Sequence, residues 1–187
     1  QGVTTNDLID YTPEIRNAVQ KLIQNYRIGP LYTPPSIKNA PDGTNGTLSL
    51  PYATGGANWE GSALDPETGV LYIPSQTRIG LMQLVNEPEK SDIEYISGTS
   101  PPPSVFGIPL VKPPWGRITA INLNTGQHQW MIPNGDTPEI ILSNKQLYGI
   151  DVPRTGKPTR SGILVTKTLL FAGEGFGGDP IFRAHDK

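Results

Sequence analysis

Apolar residues recur along this chain in two rhythms, and each predicts a different kind of element. Ile15, Val19, Leu22, Ile23 and Tyr26 fall on one stripe at helical spacing, which predicts a helix over residues 12–28 packed on the outside of a larger body. Thr12 is placed to cap it, Pro13 suits the first helical position, Glu14 complements the dipole, and Gly29 terminates it. Downstream, the pattern shortens to strand-like runs. Residues 117–123 and 127–132 flank a tight Asn124-Thr125-Gly126 turn. Gly126 takes the positive φ of a hairpin bulge at no steric cost, and Asn122 accepts backbone N–H groups across the turn. Trp130 then offers a broad flat surface for a neighbouring sheet.

That hairpin recurs. Ala63, Asp65, Thr68 and Gly69 have the same offsets as Ala120, Asn122, Thr125 and Gly126, and Ala184 with Asp186 begins a third copy. Residues 47–51 read as a short strand, and a last hairpin pairs residues 162–166 with 168–172 through a turn near Lys167. Residues 30–36 are extended, because their prolines push neighbours out of the α region. Between the hairpins lie two long surface loops, 76–114 and 134–158, the first with a proline-rich stretch at 100–104. Repeated hairpins stack around an axis because none alone buries both faces of its sheet. The expected fold is all-β: one domain over residues 1–187, an incomplete propeller of about two to three blades with one N-terminal helix. Blade hairpins are expected near 47–74, 116–132 and 162–187.

Composition narrows the function. Gly 21 and Pro 20 in 187 residues, with 35% hydrophobic and 17% charged residues, suit short strands and many turns. A net charge of −2 without clustered Lys or Arg gives no surface for nucleic acid. With no cysteine there is neither a disulfide nor a thiolate metal site. No run approaches the roughly 18 apolar residues of a membrane span. The chain stops inside a strand-like run, residues 182–187, and is read as a fragment of something larger.

Candidate chemistry is sparse. Gly173-Glu174-Gly175-Phe176-Gly177-Gly178 fits Gly-x-Gly-x-x-Gly but precedes a strand-like segment, so the dinucleotide reading is rejected for a blade-edge loop. His128 and His185 share no metal-ligand spacing with each other or with a carboxylate. No serine sits in a nucleophile elbow, and no isolated carboxylate pair offers acid/base work. Gly55-Gly56-Ala57-Asn58-Trp59 is the exception: paired glycines let the backbone approach something and aim two side chains, unless the loop serves only to let Trp59 cap a core.

These segments resemble, in order, the C-terminal part of the propeller of quinoprotein dehydrogenases that use pyrroloquinoline quinone (PQQ), nearest the membrane glucose dehydrogenase type. The likeness is carried by residues 26–36, by Gly55 to Trp59 with Asp65-Pro66-Glu67-Thr68-Gly69, by the tryptophan docking motif at 115–130 with Asn122 in place of Asp, and by residues 164–171 and 182–187. It implies an eight-bladed propeller with PQQ and Ca²⁺, oxidising a sugar or alcohol hydroxyl, an aldose such as glucose. A base takes the hydroxyl proton, hydride passes to a PQQ carbonyl, and electrons leave to a quinone or cytochrome. Periplasmic location is implied, with or without a membrane anchor upstream.

By the same resemblance Asn58 is a polar contact to the cofactor and Trp59 its neighbour; Trp115 lies either at the central funnel or in the core. The family's catalytic aspartate, calcium ligands and quinone-binding basic residue have no counterpart in this chain, so no catalytic or metal-binding residue is assigned. Thr159-Arg160 stands where some alcohol-oxidising members carry a tryptophan. The competing readings are a non-catalytic propeller scaffold for protein assembly and a generic sugar-binding β module. Open blade edges would be covered by another chain, as in a homo-oligomer.

Overall fold

The computed structural model describes residues 2–187, with Gln1 outside the described residues. The chain divides into two compact units, one built from the segment up to Ala53, Arg78–Lys112 and Asn144–Ile150, the other from Thr54–Thr77, Pro113–Ser143 and Asp151–Lys187. Strands are numbered along the chain.

In the first unit, helix α1 spans Pro13–Ile23, with Thr12 Oγ1 accepting the Ile15 N–H at 3.1 Å and Ile15, Val19 and Ile23 buried. The helix is shorter than its apolar stripe. Asn25 and Tyr26 already turn back on Leu22 and Ile23 through i→i+3 bonds, and Arg27 pairs in parallel with Thr47. The Arg27 N–H donates to the Gly46 carbonyl and its carbonyl accepts from Leu48, both at 2.9 Å. Backbone pairing with a distant strand therefore wins over another helical turn.

The same unit holds a mixed sheet. β1 (Ser36–Ile37) runs parallel to β5 (Gly80–Val85), whereas β2 (Thr47–Ser49) and β6 (Ile96–Ser97) are antiparallel to it. β7 (Ser104–Val105) and β8 (Ile108–Pro109) form a small hairpin turning at Phe106 and Gly107, both at positive φ. Two expectations are corrected here. Residues 76–114 are no plain loop, since they supply the central strand of this sheet. Residues 47–74 are no single hairpin, since β2 pairs with β5.

The second unit contains the repeat. β3 (Ala63–Asp65), β4 (Val70–Gln76), β9 (Gly116–Asn122) and β10 (Gln127–Pro133) form one sheet in the order β10-β9-β4-β3, antiparallel throughout. Val70 faces Asn122 and Gln76 faces Gly116, so the two copies read from the sequence are the two hairpins of a single four-stranded blade. Their turns are built alike. Asp65 Oδ1 accepts the Glu67 N–H at 3.0 Å and Asn122 Oδ1 the Asn124 N–H at 2.9 Å, with Gly69 and Gly126 at φ of 70° and 73°. Leu123 N–H donates to the Gly69 carbonyl at 2.9 Å, which sets the turns side by side.

β11 (Ile163–Val165), β12 (Leu169–Gly173) and β13 (Phe182–Asp186) form a second, three-stranded antiparallel sheet. Val70, Tyr72, Ile118 and Ala120 of the blade share one buried cluster with Leu170 and Ala172 of this sheet, and Trp130 packs against it. Trp130 tilts against Tyr72 with ring centroids 5.6 Å apart. The expected docking role of Trp130 thus takes physical form as apolar area buried between two sheets. Neither sheet closes a ring; the architecture is an incomplete, mostly β propeller. Residues 134–158 carry the short helix α2 (Glu139–Leu142) and a 3₁₀ turn at Lys145–Leu147.

Candidate functional site

The loop from Thr54 to Gly61, which leads into β3, is held by its own glycines. Gly55 and Gly61 take positive φ, and the Gln76 N–H donates to the Gly56 carbonyl at 2.9 Å. Asn58 acts first on its own loop: Nδ2 donates to the Thr54 carbonyl at 2.8 Å, and Oδ1 accepts the Trp59 N–H at 2.9 Å. This clamp lifts Trp59 to 93% exposure, so it caps no core and presents its ring to whatever lies beyond the loop.

Glu60 turns the other way. Its Oε1 lies 3.2 Å from Arg160 Nε, an ion pair without an aligned hydrogen bond, since that N–H is buried and has no hydrogen-bond partner among the described residues. The Arg160 guanidinium also lies over the Phe176 ring, 5.1 Å from its centroid, while the two residues exchange backbone hydrogen bonds of 3.1 and 3.2 Å. A Cβ on Gly175 would lie 1.9 Å from the Arg160 carbonyl oxygen, so glycine is required for this approach. Thr159, beside Arg160, keeps a buried hydroxyl with no hydrogen-bond partner among the described residues.

Behind Phe176, Glu174 is fully buried, with Oε1 2.5 Å from Arg183 Nη1 and Oε2 accepting the Asp179 N–H at 2.9 Å. The glycine-rich stretch is thus a loop braced by a buried ion pair, followed by strand β13 rather than a helix.

Trp115 lies elsewhere. It is 2% exposed, its N–H donates to the Thr155 carbonyl and its carbonyl accepts from Thr77, both at 2.7 Å. Of the two places expected for Trp115, central funnel or core, its burial matches the core. Asn58 and Trp59 share one loop, and the structure adds Glu60, Arg160 and Phe176 to their surroundings. Sequence reasoning passed over Glu60 and Phe176; the one available signal was a charged residue directly after Trp59 in a glycine loop.

A planar, polar group such as PQQ suits the exposed ring of Trp59 beside the Asn58 amide. Calcium finds less: no group of three His, Asp or Glu side chains is placed to hold a metal ion among the described residues.

Two titrating groups mark the far end of the blade. Asp65 is held down to about 2 by its hydrogen bond from Lys187 Nζ at 2.5 Å and by the Thr68 hydroxyl. His185 lies below the ordinary 6.5 because burial disfavours its charged form and because Arg154 and Arg183 repel it. A depressed histidine stabilises the fold above the unfolded pKa and loses that contribution as pH falls through the folded one. Stability should therefore drop below about pH 6.5 in the wild type and more shallowly in His185→Gln, measured by urea unfolding at several pH values. Parallel curves would remove His185 as the cause.

A four-stranded antiparallel sheet that shares a buried cluster with the next sheet has the blade-on-blade packing of a β-propeller. The family model described as "PQQ: Glucose/ethanol/alcohol dehydrogenase, beta-propeller domain" matches residues 1–187, and the chain belongs to this family. It is 29% identical over 189 residues to the quinate/shikimate dehydrogenase (quinone) of Acinetobacter baylyi, covering 89% of this chain and 22% of that protein. It is 28% identical over 163 residues to a probable quinate dehydrogenase (quinone) of Xanthomonas campestris pv. juglandis, covering 73% of this chain and 19% of that one. The chain therefore spans about a fifth of the length of these curated relatives.

Proposed function

We propose that this chain is the cofactor-facing part of a PQQ-dependent dehydrogenase that oxidises a secondary hydroxyl and delivers electrons to a quinone. The observation that carries this is the Asn58–Trp59 loop, whose internal clamp holds a wide aromatic at 93% exposure within a family-matched propeller. PQQ supplies the two-electron acceptor. The chain's own contribution is to orient it, with the Trp59 ring as a stacking face and the Asn58 amide as a polar contact. Calcium belongs to this reading through residues outside the chain, and so does the periplasmic location implied by the resemblance.

The substrate shifts from the expected aldose towards a hydroxylated ring acid, because both relatives are named for quinate. The quinone in their names likewise favours a quinone over a cytochrome as acceptor. The deciding assay follows dye reduction by the full-length protein, loaded with PQQ and Ca²⁺, on quinate, shikimate and glucose. Turnover on quinate above that on glucose is expected. A protein that takes up no PQQ would instead be a scaffold.

Trp59→Ala separates binding from folding. A side chain this exposed has little stability to lose, so unfolding should stay within about 0.5 kcal/mol of wild type. PQQ affinity, followed by absorbance titration, should fall about 3- to 10-fold with the lost stacking. Unchanged affinity would take Trp59 out of the site.

A further inference from the structure

We infer that Arg160 is a carboxylate anchor: its outward guanidinium edge takes an organic carboxylate at the Trp59 end of the blade. The inference rests on the proposed function and deepens it, because it explains how the site would favour an acid over a sugar.

Arg160 is held on three sides. Glu60 Oε1 stands 3.2 Å from Nε, the Phe176 ring covers one face at 5.1 Å, and backbone bonds to Phe176 fix the main chain from which the side chain springs. These contacts use the Nε edge and one π-face. Nη1 and Nη2 have no hydrogen-bond partner among the described residues, and the side chain remains 38% exposed. The two outer N–H groups form the planar fork that a carboxylate meets with two parallel hydrogen bonds. Glu60 supports this arrangement. It stays on the inner edge and holds the fork in one orientation, so less side-chain entropy is lost when an anion binds. Phe176, 77% exposed, shields one face of the cation from water and strengthens its pull on an anion.

Glu60 directly follows Trp59, so the fork and the exposed ring are joined through one residue of the loop and one ion pair. Two sources fit that chemistry: the acid group of a substrate such as quinate, and a carboxylate of PQQ itself.

The test uses full-length protein as wild type, R160Q and R160K, each with a thermal melt. PQQ affinity is read by absorbance titration of the apoprotein. Affinities for quinate and for its neutral methyl ester are read by calorimetry on the PQQ-loaded protein. R160Q should weaken quinate about 10- to 100-fold while leaving the ester and PQQ unchanged. R160K, a cation without the planar fork, should fall between R160Q and wild type. A loss confined to PQQ affinity upholds the anchor and assigns it to the cofactor.

Equal loss for quinate and its ester, or no change in either variant, overturns the inference and leaves Arg160 as a tether for the loop. If R160Q does not fold, R160K carries the comparison: quinate weakened with its ester unchanged, or PQQ alone weakened, upholds the anchor, and wild-type affinities overturn it. A wild-type protein that takes up no PQQ would instead sink the proposed function, which keeps the two failures apart.

Discussion

Gly116→Ala is expected to unfold the blade outright. The added Cβ would sit 1.7 Å from the Lys157 carbonyl oxygen and 2.9 Å from that of Asn134, and both obstacles are backbone. Three segments meet here. The Asn134 N–H donates to the Gly116 carbonyl at 2.8 Å, the Lys157 N–H to the Asn134 carbonyl at 2.9 Å, and the Trp115 N–H to the Thr155 carbonyl at 2.7 Å. Gly156, at φ 65°, completes the crossing, because its own Cβ would lie 2.2 Å from the Gly116 carbonyl oxygen. No side chain here can rotate away to relieve the clash. The cost should exceed about 4 kcal/mol, a large share of the roughly 5–15 kcal/mol that holds an ordinary domain together. Circular dichroism should show lost cooperative melting. A melting point within about 2 °C of wild type would mean that the crossing yields.

The second large effect is expected at Arg183. Glu174 is fully buried and meets Arg183 at 2.5 Å, while Arg183 Nη2 reaches Asp136 at 2.9 Å. Removing the cation alone, as in Arg183→Met, strands a buried carboxylate and should cost about 3–5 kcal/mol. Removing both charges, in Arg183→Met with Glu174→Leu, should recover most of that loss, since two apolar groups leave no charge unpaired. Urea unfolding of both single variants and the double variant closes the cycle. Additive single losses would show that the two charges act independently. The same pair braces the loop that carries Phe176, so stability here and the position of Arg160 are linked through the backbone at 174–176.

Much of the blade was legible in the sequence, because its turns are local chemistry. Asp65 and Asn122 make the same side-chain bond to a backbone N–H two residues on, and both turns end at a glycine with positive φ. That the copies share one sheet was not legible, since the pairing of Val70 with Asn122 joins residues far apart in the chain. The end of α1 was hidden for a similar reason: Arg27 leaves the helical path for a bridge to Thr47. β1, β6, β7 and β8 are two residues long, too short for any alternation to show.

At the site, the paired glycines pointed to Asn58 and Trp59. Trp115 stayed open, because a tryptophan between proline and glycine reads equally as rim or core, and its burial matches the core. Arg160 stood out for what it replaced. Its ion pair with Glu60 spans most of the second unit's sequence, and no short pattern records it.

The blade's two hairpins are separated by the chain from 77 to 115, most of which folds in the other unit. Each hairpin closes over a few residues and can form in about 1–10 μs. The ladder between β4 and β9 must instead wait for the ends of that long excursion to meet, an encounter whose entropy cost grows with the length looped out. The join at the centre of the blade is therefore late to form during folding and sensitive to anything that slows the excursion. Newly made chain would pass through an interval in which two finished ribbons drift on one tether, each with an unsatisfied edge.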